Sequence, residues 1–231
     1  MPNAVPWLVR RRLYNWHPGR ARRWTSLPGV ERVPGDRAAL TFDDGPGADA
    51  TPRVLDELER LGVAATFFVL GAEVRRAPQL AHRILAGGHE LGVHGFAHPR
   101  YDLLSAEQAR EDLEQGLEAI ESVTGVRPAW FRPPYGKLSQ AAHRICLSLD
   151  LRIAYWSAWG LDWEAIRSRA ISSEVISGLT RGAIVLLHDT ASYGRRASAQ
   201  PTADALGPIV AHGRQAGLTW MTLSEAANAP A

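Results

Sequence analysis

The stretch Ala38-Ala39-Leu40-Thr41-Phe42-Asp43-Asp44-Gly45-Pro46 changes character between Phe42 and Asp43. An uncharged run gives way to two carboxylates and then to a Gly-Pro pair. So short an apolar run, bounded by turn residues, reads as a buried strand running into a loop. Pro52 to Leu61 then reads as a helix, with Thr51 as N-cap, Pro52 at the first position and Gly62 as stop. Strand, polar loop, helix is the unit, and the rest of the chain repeats it.

Further along, Ala64 to Leu70 is a strand and Pro78 to Ala86 a helix closed by Gly87-Gly88. Glu90 to His94 is a short strand. Ser105 to Val123 is the clearest helix: Ser105 and Gln108 form a capping-box signature, Ala109, Leu113, Leu117 and Ile120 share one face, and Gly125 ends it. Ala129 to Phe131 and Arg152 to Trp156 are strands around a helix over Leu138 to Leu149. Ser172 to Leu179 and Thr202 to Gln215 are helices, Ala183 to Leu187 a continuous apolar strand, and Leu218 to Met221 the last strand. About seven βα units with short connections predict an α/β fold with a parallel sheet, and both a closed barrel and an open doubly wound sheet fit.

Composition narrows the class. With 231 residues, 45% of them hydrophobic, the chain can bury a full core and is not intrinsically disordered. Cys146 is alone, so no disulfide scaffold exists. No apolar stretch approaches the ~18 residues of a membrane span. Arg10, Arg11 and Arg12 lead into no apolar segment, so no secretory signal is read and the chain as it stands is expected in the cytoplasm. An export signal missing from this chain would make it extracytoplasmic. The formal net charge of +2 is uneven: residues 1–37 hold eight Arg against Glu31 and Asp36, with Trp7, Trp16 and Trp24 among them. These residues are read as a basic N-terminal arm preceding a body over 38–231. Such an arm either contacts an anionic lipid or polymer surface or packs its tryptophans on the body. No nucleic-acid partner is expected.

In both parallel architectures chemistry collects at the C-terminal ends of strands. Asp43 and Asp44 follow the first strand, His94 and His98 the third, Arg132 the fourth, Asp162 trails the fifth, and His188 follows the sixth. An Asp-Asp pair before Gly-Pro is by itself an ordinary turn, and a lone HxxxH is a weak signal. His82, His143 and His212 fall inside amphipathic helices, and His17 and His89 in the arm and a turn, so none is given a chemical role. Together the strand-end residues read as a metal hydrolase. Two imidazoles and a carboxylate leave positions open on a zinc-like ion, which lowers the pKa of water and polarises a carbonyl. The second carboxylate serves as base, and a histidine across the site serves as acid.

Thr41-Phe42-Asp43-Asp44-Gly45, His94-Gly95-Phe96-Ala97-His98, Arg132-Pro133-Pro134-Tyr135-Gly136, Asp162-Trp163 and Leu186-Leu187-His188 resemble, in order, the five motifs of the polysaccharide deacetylases, carbohydrate esterase family 4. The resemblance spans about residues 38–225. It implies a deformed (β/α) barrel of about seven parallel strands. It also implies hydrolysis of N-acetyl groups on a polysaccharide or glycoconjugate, with O-acetyl hydrolysis or a non-catalytic sugar-binding module as alternatives. By position it makes Asp43 the base, Asp44, His94 and His98 the ligands of a divalent metal (zinc first, cobalt second), and Arg132 the partner of Asp43. It makes His188 the acid with Asp162 as charge partner, gives Tyr135 an oxyanion-facing N–H, and sets Trp156 and Leu186 as walls of an acetyl pocket. Two positions depart from the family pattern. Gly95 stands where Ser or Thr usually helps pin the metal loop, and Trp159 where an earlier aspartate of the fourth motif usually stands.

Overall fold

From Ala38 onward every residue of β1 (Arg37–Asp43) is buried, on both faces of the strand. Alternate side chains point to opposite faces, so both sides of β1 are covered, as in a parallel sheet with helices outside and a filled interior. The computed structural model describes Val9, Arg11 and residues 27–229. After β1 come α1 (Thr51–Leu61), β2 (Thr66–Val69), α2 (Gly71–Arg76), α3 (Pro78–Ala86), β3 (Glu90–Val93), α4 (Ala106–Thr124) and β4 (Trp130–Phe131). Then follow α5 (Gln140–Ser148), β5 (Arg152–Ile153), β6 (Ala158–Trp159), α6 (Ser168–Gly178), β7 (Ile184–His188), α7 (Gln200–Gln215), β8 (Thr219–Trp220) and α8 (Leu223–Asn228).

All strand pairs are parallel, in the order β5-β4-β3-β2-β1-β7-β6, with β8 joining the start of β1. The seven-strand path curls into the deformed barrel and stops before closing, because β5 and β6 do not pair. Residues 30–33 cross that seam. Val30 donates its N–H to the Ile153 carbonyl and accepts from the Tyr155 N–H, both at 2.8 Å, and Val33 donates to the Gly182 carbonyl at 3.0 Å. Arg32 forms an antiparallel bridge with Ala183 just before β7. Arg11 forms an ion pair with buried Glu174 of α6. Trp7, Trp16 and Trp24, and with them the surface-contact reading of the arm, lie outside the described residues.

Several local expectations change. Thr51 is the first helical residue, not the N-cap, because its hydroxyl is engaged elsewhere: it accepts from the Gly47 N–H at 2.8 Å and donates to Asp189 at 2.6 Å. The fifth strand ends at Ile153, not Trp156, and Ala158–Trp159 forms an unforeseen strand defined only by its pairing with β7. The short helices α2 and α8 are also additions to the sequence reading, although Thr222 and Glu225 spell a capping box before α8. Ser105 and Gln108 cap α4 reciprocally as expected, and Gly62 and Gly125 end their helices in the left-handed conformation. No described helix is long and apolar enough to cross a membrane.

Gly182 sits at φ +75°, where an added Cβ would collide with the Val33 carbonyl. Gly182→Ala should therefore cost at least about 1–2 kcal/mol of stability, the penalty of a left-handed alanine with the steric conflict added. Urea denaturation of the two proteins measures it. An unchanged midpoint would mean that residues 30–33 are not seated in the seam.

Candidate active site

Strand register sets the site. Asp43 ends β1 in register with His188, which ends β7. Val93 of β3 is in register with Phe131 of β4, so the next residues, His94 and Arg132, emerge side by side. The carboxylate from β1 thus lies between a histidine on one flank and a histidine and an arginine on the other.

Arg132 is fully buried. It donates to Asp43 Oδ1 at 2.8 Å, to the Thr41 hydroxyl at 2.7 Å and to the Tyr155 carbonyl at 2.9 Å. Asp43 Oδ2 is left on the far side of that carboxylate, 3.9 Å from His94 Nε2. His94 Nδ1 lies 2.7 Å from the Arg132 carbonyl. A carbonyl only accepts, so Nδ1 carries the proton and the lone pair is on Nε2. Asp44 Oδ1 is 3.3 Å from His94 Nε2 and 3.1 Å from His98 Nε2. All three side chains are buried and their ligand atoms lie within 4.8 Å of one another. Asp44 Oδ1 has no hydrogen-bond partner. A buried carboxylate oxygen without a hydrogen-bond partner, set against the Nε2 atoms of two histidines, fits a divalent ion. Burial alone would raise the Asp44 carboxyl. The His94 and His98 rings and the His188 charge outweigh it and hold Asp44 well below the usual carboxylate range.

Across the site, His188 Nδ1 meets Asp162 Oδ1 at 2.8 Å, and the His188 N–H donates to Asp162 Oδ2 at 2.9 Å. Burial works to lower the His188 pKa, but the Asp162 carboxylate overrides it and pushes the imidazole up to about 9. Asp162, buried yet beside His188 and Arg196, is held down to about 2. The space between the two flanks is a cavity of about 390 Å³ with Tyr135, Trp156, Trp159, Leu186 and His188 in its wall. Arg132 and Asp162 stand behind the wall, each against a residue that lines it.

The family model for polysaccharide deacetylases matches residues 31–154, more than half of the chain. The chain belongs to the polysaccharide deacetylase family. It is 38% identical over 170 residues to a peptidoglycan N-acetylglucosamine deacetylase of Listeria monocytogenes, a match covering 71% of this chain and 36% of the relative. The chain therefore spans about a third of that protein's length. A solved peptidoglycan N-acetylglucosamine deacetylase superposes with a TM-score of 0.81 at 28% identity, covering 87% of this chain and 92% of the other. A pseudoenzyme of carbohydrate esterase family 4 from Bacillus anthracis superposes with a TM-score of 0.79 at 25% identity, over 88% of this chain and 70% of the other.

The structure brings all ten residues assigned to the site from the sequence to this one cavity or directly behind it. It adds two residues that the sequence reading passed over, Asp112 and Gly116. Gly95, at φ +92°, leaves no room for a side chain: an added Cβ would lie 2.5 Å from Asp112 and 2.7 Å from the Tyr101 hydroxyl. Asp112 takes over the pinning. Its carboxylate accepts from the Phe96 N–H at 2.9 Å and the Ala97 N–H at 3.2 Å, and from the Tyr101 hydroxyl. One turn later on the same helix face, Gly116 lets α4 approach, since a Cβ there would lie 2.9 Å from the Gly95 backbone. Neither residue carries a sequence signal, because both sit within an ordinary amphipathic helix. Asp112→Ala removes hydrogen bonds to a charged acceptor, each worth about 1.5–3 kcal/mol. Amide hydrogen exchange at Phe96 and Ala97 should speed up by at least about tenfold. Retained protection would assign the rigidity of this loop to something other than Asp112.

Proposed function

We propose that this chain is a metal-dependent deacetylase that removes the acetyl group from an N-acetylated sugar of a polysaccharide or glycoconjugate. One observation carries the reading. An arginine-held carboxylate and a carboxylate-held histidine flank the Asp44-His94-His98 cluster within one cavity. Asp44, His94 and His98 would hold the divalent ion. Zinc suits one carboxylate and two imidazoles best, with cobalt as the alternative. Bound there, the ion lowers the pKa of water and polarises the acyl carbonyl.

The remaining work falls to this chain's own groups. Asp43, oriented through Oδ1 by Arg132, takes a proton from the attacking water on Oδ2. The Tyr135 backbone N–H, in a turn at φ +59°, is the donor for the oxyanion. His188, held by Asp162 at Nδ1, gives the Nε2 proton to the departing amine as the C–N bond breaks. The products are acetate and the free amino sugar. Trp156 and Leu186 wall the acetyl group. This chemistry is assigned to the body, residues 38–231, and none of it to the arm.

An O-acetyl ester would fit the same groups. A non-catalytic module fits less well, although a pseudoenzyme shares the fold. Here the base, the acid, both of their partners and the three ligands are all present. The peptidoglycan in the relatives' names requires action outside the cytoplasm; a lipid-linked or small amino sugar does not.

Acetate release from a panel of N- and O-acetylated glycans, with and without added metal, tests the reading. N-acetylated glycans should release acetate only with metal, and no release from any member of the panel defeats the proposal. In metal analysis, His98→Ala should lose stoichiometric binding. Asp43→Asn should keep the ion while turnover falls about 10²–10⁴-fold, the usual worth of a general base. Equal metal loss in both variants contradicts the division of roles.

The acid makes a pH prediction. Activity requires protonated His188 and is lost as pH rises through its pKa. Free imidazole titrates near 6.5, and Asp162 raises His188 to about 9 in the metal-free site. A dication beside Asp44 repels the imidazolium, so the alkaline limb of kcat/KM should lie between these values. Asp162→Asn removes the raising charge and should move the limb to lower pH. A limb that stays in place would dissociate Asp162 from the acid.

A further inference from the structure

The two histidines of the metal cluster are held in different ways. His94 donates from Nδ1 to the Arg132 carbonyl at 2.7 Å. Such a bond fixes the plane of the ring and the direction of Nε2. His98 Nδ1 is buried and has no hydrogen-bond partner among the described residues. Asp112 holds the chain just before it, through the N–H groups of Phe96 and Ala97. Backbone bonds do not fix the last torsion of a histidine side chain, which is broad. Yet Nε2 of His98 is directed at Asp44 Oδ1, 3.1 Å away.

Two aromatic rings supply the missing restraint. Tyr193 stacks on the His98 imidazole, with centroids 3.9 Å apart and planes 25° apart, and Tyr135 meets it edge-on at 4.7 Å. Stacked and edge-to-face contacts are the preferred geometries of such pairs, and a ring that turns loses both. Tyr193 can restrain a neighbour because its own loop, between β7 and α7, is tied on several sides. Arg196 donates to the carbonyls of His188 and Thr190, each at 3.0 Å, and reaches Thr202 and Asp162. The Arg195 N–H donates to the Trp163 carbonyl at 2.6 Å, and the Gly194 N–H closes a turn onto the Ala191 carbonyl at 3.1 Å. The Tyr193 ring itself remains 43% exposed, so it adds little to the folding core.

We propose that Tyr193 is a positioning residue for the metal site: its ring, carried by the tied loop after β7, sets the plane of the His98 imidazole and does for His98 what the hydrogen bond at Nδ1 does for His94. The inference rests on the reading of Asp44, His94 and His98 as metal ligands. It makes the planar face of Tyr193, not its hydroxyl, the part that matters. It also links the two flanks of the cavity, because the loop that steadies His98 is held by Arg196 to the residues around His188.

The test reads metal binding, not turnover. The full chain is stripped of metal, and zinc affinity is measured by competition with a chromophoric chelator for the wild type, Tyr193→Phe, Tyr193→Leu and Tyr193→Ala. The visible absorption of bound cobalt(II) reports the ligand arrangement in each. Thermal unfolding of the metal-free proteins should be the same for all four. Tyr193→Ala should bind zinc about 10–100-fold more weakly, the usual cost of losing the outer support of a ligand. Tyr193→Leu covers the imidazole without offering a planar face and should be as weak. Tyr193→Phe should keep the wild-type affinity and cobalt spectrum, while the other two shift the spectrum. If the alanine variant does not fold, the leucine variant carries the same comparison. The proposal is overturned if folded Tyr193→Ala binds as the wild type does with the same spectrum. It is also overturned if Tyr193→Leu keeps the affinity, since the ring then only keeps water off His98, or if Tyr193→Phe loses it. Failure of the metal-site reading looks different: the wild type then binds neither zinc nor cobalt, and the inference falls with it.

Discussion

The guanidinium of Arg132, wholly removed from water, donates to Asp43, to Thr41 and to the Tyr155 carbonyl, while its own carbonyl accepts from His94 Nδ1. Thr41 in turn donates to the Val185 carbonyl of β7. One residue therefore connects β1, the segment after β5 and the loop after β3, and through Thr41 it reaches β7. A buried cation is tolerable only with its partners in place, and removing one partner of such a pair costs about 3–5 kcal/mol. Phe68 lies 4.1 Å from the guanidinium carbon and contributes its ring face. The orientation of Asp43 and the tautomer of His94 both follow from this arrangement.

With the carboxylate fixed, the surrounding loops adopt conformations that would be costly alone. Asp44, His98 and Tyr135 all have positive φ, at 78°, 62° and 59°. Such backbone persists where its surroundings over-determine it. Here the restraints are identifiable. Asp112 and Gly116 of α4 hold the His94–His98 loop from outside. Asp189, buried and accepting from Thr51, packs against Gly45 just after Asp44. Its burial pushes it up to about 7. On the opposite flank Asp162 is saturated by His188, Thr202 and Arg196. Trp159 is buried in the cavity wall.

Much of this could be read in advance, for local reasons. Strands such as Ala183 to Leu187 announce themselves as uninterrupted apolar runs, and α4 announces itself through its capping box and its apolar stripe. The site residues were legible because a parallel barrel gathers the C-terminal ends of its strands on one face, so Asp43, His94, Arg132 and His188 are marked by position alone. Asp112 was not legible. It stands on a helix that nothing in the sequence ties to the His94 loop, and only packing brings the two within 3 Å. Arg196 and Tyr193 were hidden for a similar reason. In a chain so rich in arginine, another arginine in a loop carries no signal until its four acceptors are seen around it.

The alternation of strand and helix, the chemical types at the strand ends and their order along the chain are written in the residues alone. These depend on near-neighbour periodicity, on turn chemistry and on motif spacing. Where the barrel fails to close, the crossing of the seam by residues 30–33 and the pairing of Ala158–Trp159 with β7 emerge from long-range packing. It alone decided that a glycine in the His94 loop is held by a carboxylate from α4, and that a tyrosine rests on His98. Each of these is a contact between segments far apart in the chain. Its free energy depends on three-dimensional proximity and burial, which no local pattern of residues encodes.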